Sequence, residues 1–208
     1  MSANEFRDVV YIYADESCLG NQYSDRAAPG GAAGLVEVFD ARRGWTRRDY
    51  FVSEPDTTNN RMALRSAIEG LRVLRRACRI AFFSDSNYLI RGTKDWIHNW
   101  ARRGWTRKTG AVENLELWFE LVQAWQRHTV QWTWVRGHAG HPKNEYVNDL
   151  AVRSARDQDD SRGLVDSEFD SWIAAQQEKG RYLEFFDLPP DAPFKPDRSP
   201  PQPPSTAR

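Results

Sequence analysis

Cysteine is scarce: Cys18 and Cys78 are the only two in 208 residues, too few for a disulfide framework or a four-cysteine zinc site. Both are expected to be ordinary packing residues. No apolar run approaches the about eighteen residues a membrane span needs. The start, Met1-Ser2-Ala3-Asn4-Glu5-Phe6-Arg7-Asp8, lacks an apolar signal core behind a basic head. The expectation is a protein of the cytosol with no membrane partner. Net charge is absent as well, 29 Lys and Arg balancing 29 Asp and Glu. That balance hides an asymmetry: residues 157–208 hold 6 basic against 11 acidic side chains, and residues 1–156 hold 23 against 18. The larger part is thus mildly basic, which permits a polyanionic partner without requiring one. Internal repeats are also lacking.

What is present, 40% hydrophobic and 12% aromatic residues, suffices for one good core and not for two. Residues 8–15, VVYIYA between two aspartates, read as a central strand buried on both faces and ending on an acid. Two strand-like runs, 32–39 and 45–52, flank Asp40-Ala41-Arg42-Arg43-Gly44, a length that suits a hairpin. The first three strands are therefore expected to form an antiparallel meander. Thr57-Thr58-Asn59-Asn60 offers capping side chains before Met62, Ala67, Ile68, Leu71 and Leu74 at helical spacing. A strand over 79–84 ends on Asp85; short helices fill 87–105; an amphipathic helix spans 113–127; a strand covers 130–136; a helix runs over 143–155. This order predicts an α/β three-layer architecture, a mixed five-stranded sheet flanked by helices, within residues 1–156. An acidic, aromatic extension, 157–187, is expected to pack on that domain, with one helix over 166–180. A Pro-rich tail, 188–208, is expected to be disordered.

Asp15 and Asp85 each close a strand predicted to run parallel to the other, and loops at the carboxyl ends of adjacent strands are where α/β sheets place sites. Two acids there suit Mg²⁺, a hard cation that takes few carboxylates and keeps room for phosphate and water. Spacing alone serves equally well for two solvated turn aspartates.

The motifs in order narrow the choice. They are YADESCLGN at 13–21, TNNRM at 58–62, SDSNY at 84–88, WIHNWARRGW at 96–105 and VRGHAGHP at 135–142. Over about residues 8–156 the chain resembles the type 1 ribonuclease H family. The resemblance implies the ribonuclease H-like fold and hydrolysis of the RNA strand of an RNA/DNA hybrid, with Mg²⁺, or Mn²⁺ in its place, held by four acids. It places the first and third acids at Asp15 and Asp85 and a catalytic histidine, on a loop, at His138. A side chain bounded by Gly137 and Gly140 is poorly placed for a core, and an unperturbed imidazole titrates near neutrality. The resemblance also implies groove contacts from Asn21, Asn59 and Asn87, and phosphate contacts from the basic stretch that holds Arg102, Arg103, Arg107 and Lys108. Lys94 belongs to the same basic region, and the tryptophans between these cations are expected to pack beneath them.

Two positions depart from the family pattern. Ala63 stands where the second acid belongs, and Asn148 where the fourth does. The amide keeps an oxygen that can ligate a metal; the alanine keeps nothing. Glu16 is a candidate replacement, but strand alternation points it away from the face of Asp15. Asp149 lies about 100° around the helix from Asn148. The expectation is a monomeric hybrid nuclease of reduced activity, with a non-catalytic hybrid-binding module as the alternative. On that reading Ala63→Glu with Asn148→Asp restores cleavage.

Overall fold

The computed structural model describes residues 9–20, 28–137 and 140–203. Three strands open the chain, β1 (Val9–Cys18), β2 (Ala28–Asp40) and β3 (Gly44–Thr57). β2 pairs antiparallel with both neighbours, as the meander expectation required. Helix α1 (Asn59–Arg72) begins at Thr58, whose side chain accepts from Arg61 N–H as an N-cap. Next come β4 (Arg79–Ser84), α2 (Asn87–Arg91), a π-helical turn (Gly92–Trp96) and α3 (Ile97–Ala101). The rest comprises α4 (Leu115–Trp125), β5 (Thr129–Trp134), α5 (Pro142–Asp157), β6 (Val165–Asp166) and α6 (Phe169–Glu178).

The sheet order is β5-β4-β1-β2-β3-β6, with β4 parallel to both β1 and β5. Alternation along β1 divides the core. Val10, Ile12 and Ala14 face α1 and α4, packing with Ala63, Leu64 and the tryptophan cluster around Trp118. Val9, Tyr11 and Tyr13 face the other way, toward Tyr146, Val147 and Phe169. α5 lies so close to β2 that a methyl on Gly31 would overlap the Ala151 carbonyl; glycine is required there for contact, not for a turn.

Six strands replace the five expected. The sixth, Val165–Asp166, comes from the extension and pairs with the outer edge of β3 at Arg48↔Asp166 and Asp49↔Val165. Two residues are too few to show a periodicity, so this edge pairing left no signal in the sequence. Further along, the Pro-rich stretch expected to lack order is laid along β5. Asp197 N–H donates to the Val130 carbonyl and its carboxylate accepts from Trp132 N–H, while Lys195 N–H donates to the Gln131 side chain. Free main-chain groups on an edge strand are the physical reason: they offer hydrogen bonds to a segment with little apolar surface of its own. Among the described residues no helix is long and apolar enough to cross a membrane.

Candidate active site

Pairing between β1 and β4 ends at Tyr13↔Phe83, yet β1 continues to Cys18 on its β2 side. Beyond Tyr13 the β1 edge therefore has no β4 partner. Asp85, just past the end of β4, sits at this gap. The strand does not end on Asp15, as the sequence suggested, and its overrun decides the site's composition. Regular alternation assigns Glu16 to the opposite face from Asp15, but at a free edge a side chain from either face reaches the same space. One carboxylate oxygen from each of Asp15, Glu16 and Asp85 lies within 4.8 Å of the others. The inference that alternation keeps Glu16 from the site is thus corrected.

The electrostatics follow from this crowding. Asp15 is 5% exposed, and burial, then the Asp85 charge, pushes its carboxyl up to about 8. Glu16 is raised well above the usual carboxylate range, by burial first and then by Asp15 and Asp85. Its Oε2 is buried with no hydrogen-bond partner. Three converging acids, two with carboxyls raised by burial and by one another and one with an orphaned oxygen, are a donor set that could hold a hard divalent cation.

Neighbouring groups fix these carboxylates. Glu16 N–H donates to Asp15 Oδ1 at 2.7 Å. Trp134, at the end of β5, donates its indole N–H to the Asp85 carbonyl at 3.0 Å. A methyl on Gly137 would overlap Asp85 Oδ2, so any other residue at 137 displaces that carboxylate. From α5, Asn144 donates to Asp15 Oδ2 at 3.5 Å, and its Oδ1 is buried without a partner. Asn148, half-buried, lies one helical turn further on the same side of α5. Asp149 faces away and accepts from the Trp172 indole of α6 at 3.0 Å, which removes it as a substitute. Gly137, Trp134 and Asn144 escaped sequence reasoning; only Asn144, four residues before Asn148, carried a positional hint.

Of the remaining candidates, Asn59 and Asn87 are exposed at the first turns of α1 and α2. Ala63 is fully buried against β1, with nothing to offer a ligand. Arg102 caps α3 and bonds Asn99, Arg107 pairs with Glu113 at 2.9 Å, and Arg103 and Lys108 are exposed. The tryptophans between them pack into the core, as expected: Trp100 against Trp96 and Trp118, and Trp105 against Phe119. Lys94 instead pairs with Asp197 at 3.5 Å. Asn21 and His138 lie outside the described residues.

Comparison with known proteins identifies the family and the fold. Ribonuclease H of Methylococcus capsulatus is 41% identical over 151 residues, covering 72% of this chain and 91% of that protein. Ribonuclease HI of Neisseria meningitidis serogroup B is 45% identical over 147 residues, covering 70% and 94%. A crystal structure of LC9-RNase H1, described as a type 1 RNase H with the type 2 active-site motif, superposes with a TM-score of 0.84 at 48% identity, covering 93% of this chain and 94% of that one. The RNase H family model matches residues 7–156, which hold the whole acidic cluster and the helix that abuts it; the chain belongs to the RNase H family.

Proposed function

We propose that this protein is an endoribonuclease that hydrolyses the RNA strand of RNA/DNA hybrids, with Mg²⁺, or Mn²⁺ in its place, held by Asp15, Glu16 and Asp85 and by the amide oxygen of Asn148. The observation that carries this reading is the convergence of Glu16 on Asp15 and Asp85. It supplies a third carboxylate where Ala63 cannot, so the site is short of one negative charge, not two. LC9-RNase H1, a type 1 RNase H with the type 2 active-site motif, supports such a departure from the type 1 pattern.

A divalent cation bound there supplies Lewis acidity, lowering the pKa of an attacking water and neutralising charge on the phosphate. The protein's own part is preorganisation. Gly137 and Trp134 hold Asp85, and Asn144 and Glu16 N–H hold Asp15, so that the carboxylates stand ready for the cation. His138 serves proton transfer, and Asn21, Asn59 and Asn87 contact bases and ribose of the hybrid. Arg102, Arg103, Arg107 and Lys108 grip its phosphates, and the chain acts as a monomer in the cytosol. The test is cleavage of a labelled hybrid with Mg²⁺ and with Mn²⁺, set beside Asp15→Asn. Metal-dependent cleavage lost in the variant supports the reading. Hybrid bound but left whole by the native chain replaces it with the binding-module alternative.

A further inference from the structure

A buried ion cluster lies on the α5 side of the sheet. Glu37 of β2, fully buried, accepts from Arg47 of β3 at 2.7 Å and from Lys143 of α5 at 2.7 Å. Asp187 of the extension completes it, pairing with Arg47 and, at 3.0 Å, with Lys143, while its main-chain carbonyl accepts from the Trp45 indole. The Lys143 ammonium also lies 4.3 Å from the Trp45 ring centroid and 5.3 Å from that of Tyr13. Lys143 is 3% exposed. A buried lysine with so many partners locks its backbone, and that backbone is the first turn of α5. The next residue, Asn144, touches Asp15, and Asn148 follows one turn later.

This arrangement matters because Asn148 is neutral. A carboxylate at that position would be drawn to a cation by its charge; an amide dipole is drawn far less. The helix must then be held in register by the protein itself. Residue 187 lies outside the family match over 7–156, so the restraint comes from this chain's extension. We infer that Asp187 is a positioning residue of the active site: through Lys143 it sets the first two turns of α5, so that the amides of Asn144 and Asn148 meet the acidic cluster. The inference rests on the metal-binding reading above.

The experiment compares the full chain with Asp187→Asn, and with Asp170→Asn as control, since Asp170 pairs with Arg47 at 2.6 Å but not with Lys143. Mg²⁺ binding is titrated by calorimetry, and amide exchange of residues 143–150 is followed in parallel. Asp187→Asn is expected to raise the Mg²⁺ dissociation constant about three- to tenfold and speed exchange in α5. Asp170→Asn should change neither. In an Asn148→Asp background the effect of Asp187→Asn should largely vanish, because a charged ligand holds the helix. A lower melting temperature with unchanged Mg²⁺ affinity would make Asp187 a structural brace only and overturn the inference, as would an equal loss in Asp170→Asn. If the native chain binds no Mg²⁺ and cuts no hybrid, the metal-binding reading itself fails and the inference falls with it. Should Asp187→Asn fail to fold, Lys143→Arg, which keeps the charge and alters the reach, is put to the same titration.

Discussion

Glu16 and Asp85 meet at a gap in the sheet, on the edge that β1 exposes where it runs past the end of β4. The predicted consequence is that Glu16→Gln cuts the rate of hybrid cleavage on the order of a hundredfold or more, about 3 kcal/mol of transition-state stabilisation. Hybrid binding measured in EDTA should be unchanged. Asp149→Asn should leave the rate alone, since Asp149 serves the Trp172 indole. Normal cleavage by Glu16→Gln would remove Glu16 from the metal set.

The fold was legible in the sequence where periodicity was strong. The bounds of β4 appear unshifted, the apolar repeats of α1 and α4 mark helices that the structure contains, and the helix expected over 143–155 is α5. The acidic cluster was legible in part. Asp85 follows from a strand end and Asp15 was found by expecting one where β1 in fact runs on to Cys18, but Glu16 depends on where β4 stops relative to β1, a register that no local pattern encodes. The β6 pairing and the tail contacts escaped for a related reason: they use main-chain groups of edge strands, to which side-chain patterns are nearly blind.

Ala63 is fully buried between α1 and β1, so Ala63→Glu forces a longer, ionisable side chain into packed core beside an acid already present. The expected result is destabilisation of about 2–4 kcal/mol and no gain in cleavage. This reverses the expectation drawn from the family pattern alone. Asn148→Asp by itself should raise both Mg²⁺ affinity and rate. Chemical denaturation and single-turnover cleavage separate the two effects, and a rate gain from Ala63→Glu would show that Glu16 does not fill the role.

Without metal, the raised carboxyl of Asp15 makes stability depend on pH. Its folded pKa of about 8 exceeds the unfolded value of 3.8, so between these limits the folded chain holds a proton that the unfolded chain has lost. Stability contributed by that proton is fully present below the unfolded value and is lost as pH rises toward 8; Glu16 acts in the same sense. In EDTA the melting temperature should therefore fall from pH 5 to pH 8. Added Mg²⁺ should recover it most at the upper end, and Asp15→Asn should flatten the slope. A melting temperature in EDTA that rises across this range would contradict the raised carboxyl of Asp15.

Asp197 ties the tail to β5 and to the π-helical turn, through Trp132 N–H at 2.7 Å and Lys94 at 3.5 Å. Arg79 adds a cation–π contact with Phe194, its guanidinium carbon 4.6 Å from the ring centroid. Asp197→Ala is expected to cost about 1–2 kcal/mol in urea denaturation, mostly from the charge-assisted bond to Trp132. Removal of residues 189–208 should cost more and leave the metal site working. An unchanged denaturation midpoint for the truncated chain would mean that the tail contributes nothing to stability.

The basic stretch after α3 gives a prediction whose size the structure changes. Four phosphate contacts, from Arg102, Arg103, Arg107 and Lys108, would each add about 0.7–0.9 to the slope of log affinity against log salt. Arg107, however, is paired with Glu113, and Arg102 is bonded to Asn99. To reach a phosphate each must give up a partner, and an exposed pair of this kind is worth about 0–1 kcal/mol. Arg103 and Lys108 are exposed, and among the described residues neither side chain has such a partner to give up. Replacing Arg103 and Lys108 together by alanine should therefore lower the slope by about 1.5, and adding Arg102→Ala and Arg107→Ala should lower it further by less than the same amount. Glu113→Gln, by freeing Arg107, should steepen the slope and tighten hybrid binding at low salt. The measurement is hybrid affinity across a salt series in EDTA, where cleavage cannot interfere. Equal losses from the two pairs would show that the Glu113 and Asn99 contacts break at no cost when hybrid binds, and an unchanged slope in the fourfold variant would place the phosphate grip elsewhere on the basic part of the chain.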